Sequence, residues 1–146
     1  MENELSCFMN KLEVYVDGGS RGNPGPAAIG FIIGSKEYKE LIGEATNNIA
    51  EYKAIIAALK KVKHLLGKEK LKNTEVIIYS DSDLVVNQLN GNYKILEKEL
   101  IFLFIEVWNL KIDFPYLKFI HIDREQNKRA DYLVNKALDN SLDKLF

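Results

Sequence analysis

Four acidic residues occupy positions from which a chain could assemble a reactive site. Asp17 ends an alternating strand-like stretch, Glu51 lies near a helix start, Asp81 follows a buried apolar run, and Asp131 lies early in the last predicted helix. Clustered carboxylates repel one another unless cations lie among them. Oxygen ligands favour Mg²⁺ or Mn²⁺, and two such ions about 3.5–4 Å apart support phosphoryl transfer.

Each of these acids also has a purely structural interpretation. Asp17-Gly18 is a strong turn signal that could simply start a hairpin. Glu51 ends the stretch Asn48-Ile49-Ala50-Glu51, which matches a capping box, and Asp81, Ser82 or Asp83 could each cap the following helix. Asp131 could be a solvated acid near a helix N-terminus, paired with Lys128. A generic α/β domain would have all four acids in such roles.

The predicted elements would bring these acids together. Hydrophobic periodicity predicts strands at 12–17, 27–33, 38–45, 76–79 and 117–122, with a long glycine turn after the first. It predicts helices from Thr46-Asn47-Asn48 to Gly67, after Asp81, at about 94–110 and near 126–138. The order βββαβααβα indicates an α/β fold with a mixed five-stranded sheet of α+β type and helices on its faces. Because the first and fourth strands would be neighbours, Asp17 and Asp81 would meet.

Two predicted helices have a clear apolar face. The helix at 94–110 would bury Leu96, Leu100, Leu103, Phe104 and Val107, and the last helix would bury Ala130, Leu133, Val134, Ala137 and Leu138. Both faces predict helices that pack against the sheet.

Length and composition indicate one domain. The 146 residues are 47% apolar with a net charge of −1, so overall charge gives no support to nucleic-acid binding. The single cysteine, Cys7, excludes an internal disulfide and fits a reducing compartment. No secretory signal or membrane-length apolar run is visible, so we expect a cytoplasmic protein. We predict a short extension at 1–10, the domain at 11–140 and a tail at 141–146.

Four stretches then occur in a fixed order: Asp17–Pro26, Thr46–Glu51, Tyr79–Ser82 and Glu125–Asp131. They resemble the motifs of the type 1 ribonuclease H family and cover nearly the whole chain. The resemblance implies a ribonuclease-H-like fold in which Asp17, Glu51, Asp81 and Asp131 are the metal-binding catalytic carboxylates. It also implies two Mg²⁺ or Mn²⁺ ions and cleavage of the RNA strand of an RNA/DNA hybrid, leaving 5′-phosphate and 3′-hydroxyl ends.

The same resemblance implies a set of substrate contacts. It assigns them to Asn23 in the glycine turn and to Asn47 and Asn48, with Thr46 and Gly18 as further partners for phosphate or backbone. Short amides at exposed turns can donate to and accept from the 2′-hydroxyls that distinguish RNA. The structural alternative is that Asn47 or Asn48 caps the helix, a role compatible with substrate contact.

Two features depart from the family's pattern. Many members carry a basic protrusion between the fourth and fifth strands, whereas residues 92–110 here are mostly apolar, with acids at Glu97, Glu99 and Glu106. The chain therefore resembles the compact subgroup, and we expect weaker hybrid affinity with a shallower salt dependence.

The second departure concerns a histidine. Well-studied members of the family place a mobile loop histidine ten residues before the last aspartate, where this chain has His121. Alternation through Leu117 and Phe119 predicts that His121 belongs to a strand. Arg124 would then occupy the loop beside the scissile phosphate. Its role would be positioning or product release, because arginine does not transfer protons.

The combined prediction is a monomeric, metal-dependent ribonuclease H that acts on RNA/DNA hybrids, with no membrane association and no protein partner implied. The alternative is a ribonuclease-H-like binding or accessory module without efficient cleavage, since a fold alone does not establish chemistry. The presence of all four acids argues against that alternative.

Overall fold

Five strands form one mixed sheet in the computed structural model, which describes residues 9–143. The strands are β1 (Asn10–Ser20), β2 (Gly25–Ile33), β3 (Lys36–Ala45), β4 (Thr74–Ser80) and β5 (Leu117–His121). Their order across the sheet is β3-β2-β1-β4-β5. The first three pair antiparallel, and β4 pairs parallel with both β1 and β5. The predicted fold class and the β1–β4 neighbourhood are confirmed.

Helices cover both faces of this sheet. They are α1 (Asn47–Leu71), α2 (Asp83–Leu89), α3 (Lys98–Lys111) and α4 (Lys128–Asp143), and a short 3-10 helix (Arg124–Asn127) precedes α4. α1 packs on β1 and carries α3 on its outer side, whereas α4 packs mainly on β2 and β3. Among the described residues, no helix has the length and apolar character needed to cross a membrane.

Strand alternation and helix periodicity produce the core. Val14 and Val16 are fully buried with Ile55 and Leu59 of α1. On the other face, all five residues predicted as the apolar face of the last helix are buried. Gly30 permits this packing, because a Cβ there would lie 2.8 Å from the Cβ of Leu133.

The glycine stretch after Asp17 differs from prediction, whereas the helix stop at Gly67 does not. Gly18 and Gly19 are not in a turn but continue β1, opposite Ile29 and Ala28 of β2. The hydrogen-bonded ladder between β1 and β2 continues through both residues because the glycine backbone can also adopt the extended conformation. The helix stop predicted at Gly67 is confirmed by the backbone, which leaves helical geometry there with φ 74° and ψ 167°. A kink at Gly67 therefore separates the main helix from a short helical segment that continues to Leu71.

The third and fourth helices also have different bounds. α3 begins at Lys98, so Leu96 lies outside the helix and is 81% exposed, which corrects its predicted core role. Leu100 and Val107 are buried as predicted. α4 continues to Asp143, beyond the predicted end near 138.

The predicted domain bounds stay a prediction. Asn10 already belongs to β1, and α4 runs past residue 140. Residues 1–8, including Cys7, and residues 144–146 lie outside the described residues.

Candidate active site

Three carboxylates meet where β1 and β4 end. Asp17 lies on β1, Asp81 directly follows β4, and Glu51 lies in the second turn of α1. One oxygen from each lies within 4.8 Å of the others. Because β1 and β4 are parallel neighbours, their carboxyl ends share one edge of the sheet, where open α/β sheets bind ligands.

The capping interpretations of Glu51 and Asp81 are wrong. Thr46 caps α1, since its Oγ1 accepts a hydrogen bond from the Ile49 N–H at 3.2 Å. Ser82 caps α2 in the same way, with its Oγ accepting from the Val85 N–H at 3.2 Å. Threonine and serine hydroxyls therefore accept hydrogen bonds from the free backbone N–H groups at both helix starts. The acids are left to face one another.

Because the acidic cluster is buried, ionisation of its carboxyl groups is unfavourable without a cation. Burial raises the pKa of Glu51 well above its usual range, and the charges of Asp17 and Asp81 raise it further. Burial and then the charge of Asp81 raise the pKa of Asp17 to about 7. The Oε2 atom of Glu51 is buried and has no hydrogen-bond partner among the described residues. A hard divalent cation with oxygen ligands fits this donor set.

Asp131 and Arg124 line the same cavity, whose volume is about 380 Å³. Asp131, on the first turn of α4, is exposed and lies outside the group of three close carboxylates. Arg124 lies in the 3-10 helix rather than in an irregular loop. Burial raises the pKa of Asp81, whereas a hydrogen bond from Asn127 and the charge of Arg124 lower it.

The predicted substrate residues surround the N-terminus of α1. Asn23 Oδ1 accepts a hydrogen bond from the Asn47 N–H at 3.0 Å, and Asn47 Oδ1 accepts from the Ser20 N–H at 2.9 Å. These bonds tie the turn after β1 to the start of the helix. Gly18 and Asn47 line the cavity, whereas Asn23, Thr46 and Asn48 lie outside its lining. The capping role considered for Asn47 and Asn48 belongs to Thr46.

His121 is the last residue of β5 and is exposed, so the strand prediction is confirmed. It does not line the cavity, whereas Arg124 does. Its charge still lowers the pKa of Asp81, although less than the charge of Arg124 does. His121 is therefore near the site without facing into it.

Two further residues of the site escaped sequence reasoning. Asn127 is 1% exposed, and its Nδ2 donates to the Val16 carbonyl at 2.8 Å. Its amide also lowers the pKa of Asp81. Arg21 lines the cavity and forms a 2.6 Å ion pair with Asp139 of α4. Asn127 lies inside the recognised stretch Glu125–Asp131, which was the available signal. Nothing in the sequence distinguishes a buried amide from its exposed neighbours there.

Comparison with known proteins places this site in a family. The family described as "Reverse transcriptase-like" matches residues 16–137. The ribonuclease H of Chlorobium phaeobacteroides is 32% identical over 155 residues, covering 92% of this chain and 99% of that protein. The bifunctional protein Rv2228c of Mycobacterium tuberculosis is 37% identical over 136 residues, covering 88% of this chain. The chain spans only 36% of that protein's length.

Solved structures agree with this placement. LC11-RNase H1, isolated from compost by a metagenomic approach, superposes with a TM-score of 0.85 and 47% identity, covering 92% of this chain and 99% of that one. The same protein in complex with an RNA/DNA hybrid gives a TM-score of 0.84 and 44% identity, covering 90% and 99%. With the carboxylate cluster in place as well, the chain belongs to the type 1 ribonuclease H family.

Proposed function

We propose that the chain is an endoribonuclease that hydrolyses the RNA strand of RNA/DNA hybrids. The observation that carries this proposal is the group formed by Asp17, Glu51 and Asp81, whose oxygens lie within 4.8 Å of one another. Membership of a family in which a related protein has been crystallised with an RNA/DNA hybrid supports the substrate.

Divalent metal dependence follows from the donor set. Asp17, Glu51 and Asp81 would hold the ions, and the partnerless Oε2 of Glu51 is an available ligand atom. We propose Mg²⁺ or Mn²⁺, two ions with substrate bound, and Asp131 as the fourth carboxylate at the exposed edge of the cavity. When bound, the ions supply the charge that neutralises the carboxylates, activates the attacking water and stabilises the leaving oxygen.

The reaction adds the elements of water across one phosphodiester bond. The water oxygen bonds to phosphorus, and the bond from phosphorus to the 3′-oxygen breaks. A proton goes to that oxygen, which leaves a 3′-hydroxyl on one fragment and a 5′-phosphate on the other. Arg124, on the cavity wall, would hold the scissile phosphate through its guanidinium, which donates hydrogen bonds without giving up a proton.

Recognition of the hybrid would use the residues around the α1 N-terminus. Asn23 Oδ1 accepts from the Asn47 N–H and Asn47 Oδ1 accepts from the Ser20 N–H, so each asparagine side chain still has an Nδ2 donor to offer. Thr46, Asn48 and the backbone of Gly18 would complete the contacts. Such groups suit a substrate recognised by shape and by its 2′-hydroxyls.

A matched pair of variants tests the proposal. Asp81→Asn removes a ligand charge at nearly constant volume and should reduce hybrid cleavage at least a hundredfold while the protein stays folded. Asp83→Asn makes the same change two residues away, at an exposed position that accepts a hydrogen bond from Tyr93 at 2.9 Å, and should retain activity. Cleavage by Asp81→Asn near the wild-type rate would overturn the proposed metal site.

The alternative of a binding module without cleavage is not favoured, because no acid of the proposed set is missing. We also propose that the chain acts as a monomer in the cytoplasm. Light scattering of the purified chain and fractionation of cells that produce it would test these two points.

A further inference from the structure

Glu97 contacts one of the proposed substrate residues from a different part of the chain. The Asn48 Nδ2 donates a hydrogen bond to Glu97 Oε1 at 3.1 Å, across 49 positions of sequence. Glu97 immediately precedes α3, in the region where many family members carry a basic protrusion. An acid beside a proposed nucleic-acid contact is unexpected on electrostatic grounds alone, because it repels phosphates.

The side chain of Glu97 does not cap the helix that follows it. Glu97 is the N-cap residue of α3, yet it makes no capping hydrogen bond with its side chain. Its carboxylate contacts Asn48 instead, in the first turn of α1. The contact therefore joins the loop before α3 to the helix start proposed to bind substrate.

The contact also decides how the Asn48 amide is presented. An asparagine side chain has a donor NH₂ group and an acceptor oxygen at opposite corners of one planar amide. Because Nδ2 is directed at Glu97, Oδ1 is directed away from it. Asn48 can then offer an acceptor, but not the same donor, to a bound nucleic acid.

We infer that Glu97 is a positioning residue that fixes Asn48 as a hydrogen-bond acceptor toward a donor group of the hybrid. This inference rests on the proposed function. The donor is a 2′-hydroxyl of the RNA strand or the exocyclic amino group of a guanine, which are donors available in the minor groove. The negative charge of Glu97 therefore lowers the affinity for the polyanionic hybrid, while its hydrogen bond fixes the orientation of the Asn48 side chain.

The test compares two neutral substitutions, so that charge cancels. Glu97→Gln keeps an acceptor for the Asn48 Nδ2, whereas Glu97→Ala removes it. For hybrid cleavage in Mg²⁺, we expect the KM of Glu97→Ala to exceed that of Glu97→Gln about three- to tenfold, the range of one hydrogen bond, with kcat unchanged. Glu99, exposed in the first turn of α3, is the matched control, and its Ala and Gln variants should have equal KM values.

A double-mutant cycle separates positioning from general repulsion. In an Asn48→Ala background, the KM difference between alanine and glutamine at position 97 should disappear. Equal KM values for Glu97→Ala and Glu97→Gln, or a difference that persists without Asn48, would overturn the inference. Melting temperatures of all variants should agree within the range of the Glu99 controls.

Modified hybrids identify the donor. Single 2′-fluoro ribonucleotides remove the 2′-hydroxyl, and inosine in place of guanine removes the amino group. The modification that abolishes the difference between Glu97→Ala and Glu97→Gln names the partner, and persistence with both would overturn the acceptor role.

A substrate-free measurement keeps this inference distinct from the proposed function. The side-chain amide signals of Asn48 in a ¹⁵N NMR spectrum should shift with Glu97→Ala and not with Glu99→Ala. If the wild-type chain does not cleave hybrids, the proposed function fails, but this spectrum still tests the Asn48–Glu97 contact independently. Unchanged Asn48 signals in Glu97→Ala would remove the contact and with it the inference.

Discussion

Gly18 on β1 lies so close to α1 that a Cβ atom at position 18 would be 2.2 Å from the carbonyl oxygen of Ala50. The same Cβ would lie 2.7 Å from the backbone nitrogen of Glu51. Because Gly18 follows Asp17 and Ala50 precedes Glu51, this close approach brings the two carboxylates together. A backbone hydrogen bond from Gly18 also lowers the pKa of both acids, against the larger effect of burial.

Gly18→Ala should therefore damage the site and the fold together. Overpacking against backbone is expected to cost about 1–3 kcal/mol of unfolding free energy and to separate β1 from α1. We expect a lower urea midpoint and weaker Mn²⁺ binding by calorimetry. Gly19→Ala is the control, since its nearest neighbour would be Val134 Cγ1 at 3.7 Å, an ordinary contact. Equal stability and metal binding in the two variants would contradict the role given to Gly18.

The raised pKa of Asp17 predicts how stability depends on pH. An aspartate in the unfolded chain titrates near a pKa of about 3.9, whereas Asp17 in the folded chain titrates at about 7. The folded state therefore binds more protons between these values, and metal-free stability should fall as pH rises from about 4 to about 7. Urea unfolding in EDTA at pH 5 and pH 8 would measure this difference.

Two comparisons test whether the acidic cluster causes this pH dependence of stability. Asp17→Asn should flatten the decline, because the titrating carboxyl is gone. Saturating Mg²⁺ should raise stability most at the higher pH, where the carboxylates are charged and bind it best. Stability that rises from pH 5 to pH 8 in EDTA would contradict a buried, cation-free acid cluster.

Arg124 should matter more for turnover than His121. Arg124 lines the cavity, whereas His121 ends β5 outside its lining. Loss of a guanidinium that holds a phosphate should lower kcat about ten- to a hundredfold in Arg124→Ala, and His121→Ala should change it less than threefold. Single-turnover rates on a hybrid would compare the two. The opposite ranking would return the catalytic role to the histidine.

Much of this arrangement can be predicted from local pattern. Alternation and continuous apolar runs located all five strands. The helical apolar face of α4, from Ala130 to Leu138, is buried as predicted. The predicted topology makes β1 and β4 neighbours, which the structure confirms, and this places Asp17 near Asp81 without knowledge of any side-chain position. These features depend on periodicity, which short stretches of sequence contain, and on the order of the elements along the chain.

Other features depend on tertiary contacts that no short stretch contains. Asn48–Glu51 matches a capping box, yet Thr46 makes the cap and Glu51 turns to Asp17. Gly18 and Gly19 read as a turn, but pairing with β2 keeps them in the strand. The buried Asn127 donates its hydrogen bond to the carbonyl of Val16, which is 111 positions away in sequence.

Cleavage of an end-labelled RNA/DNA hybrid in Mg²⁺, in Mn²⁺ and in EDTA tests the central claim most directly. Single-stranded RNA, double-stranded RNA and double-stranded DNA of the same sequence serve as controls. We predict cuts in the RNA strand of the hybrid that require a divalent ion and leave 5′-phosphate and 3′-hydroxyl ends. Binding of the hybrid without cleavage in either metal, or cleavage that persists in EDTA, would contradict a metal-dependent ribonuclease H.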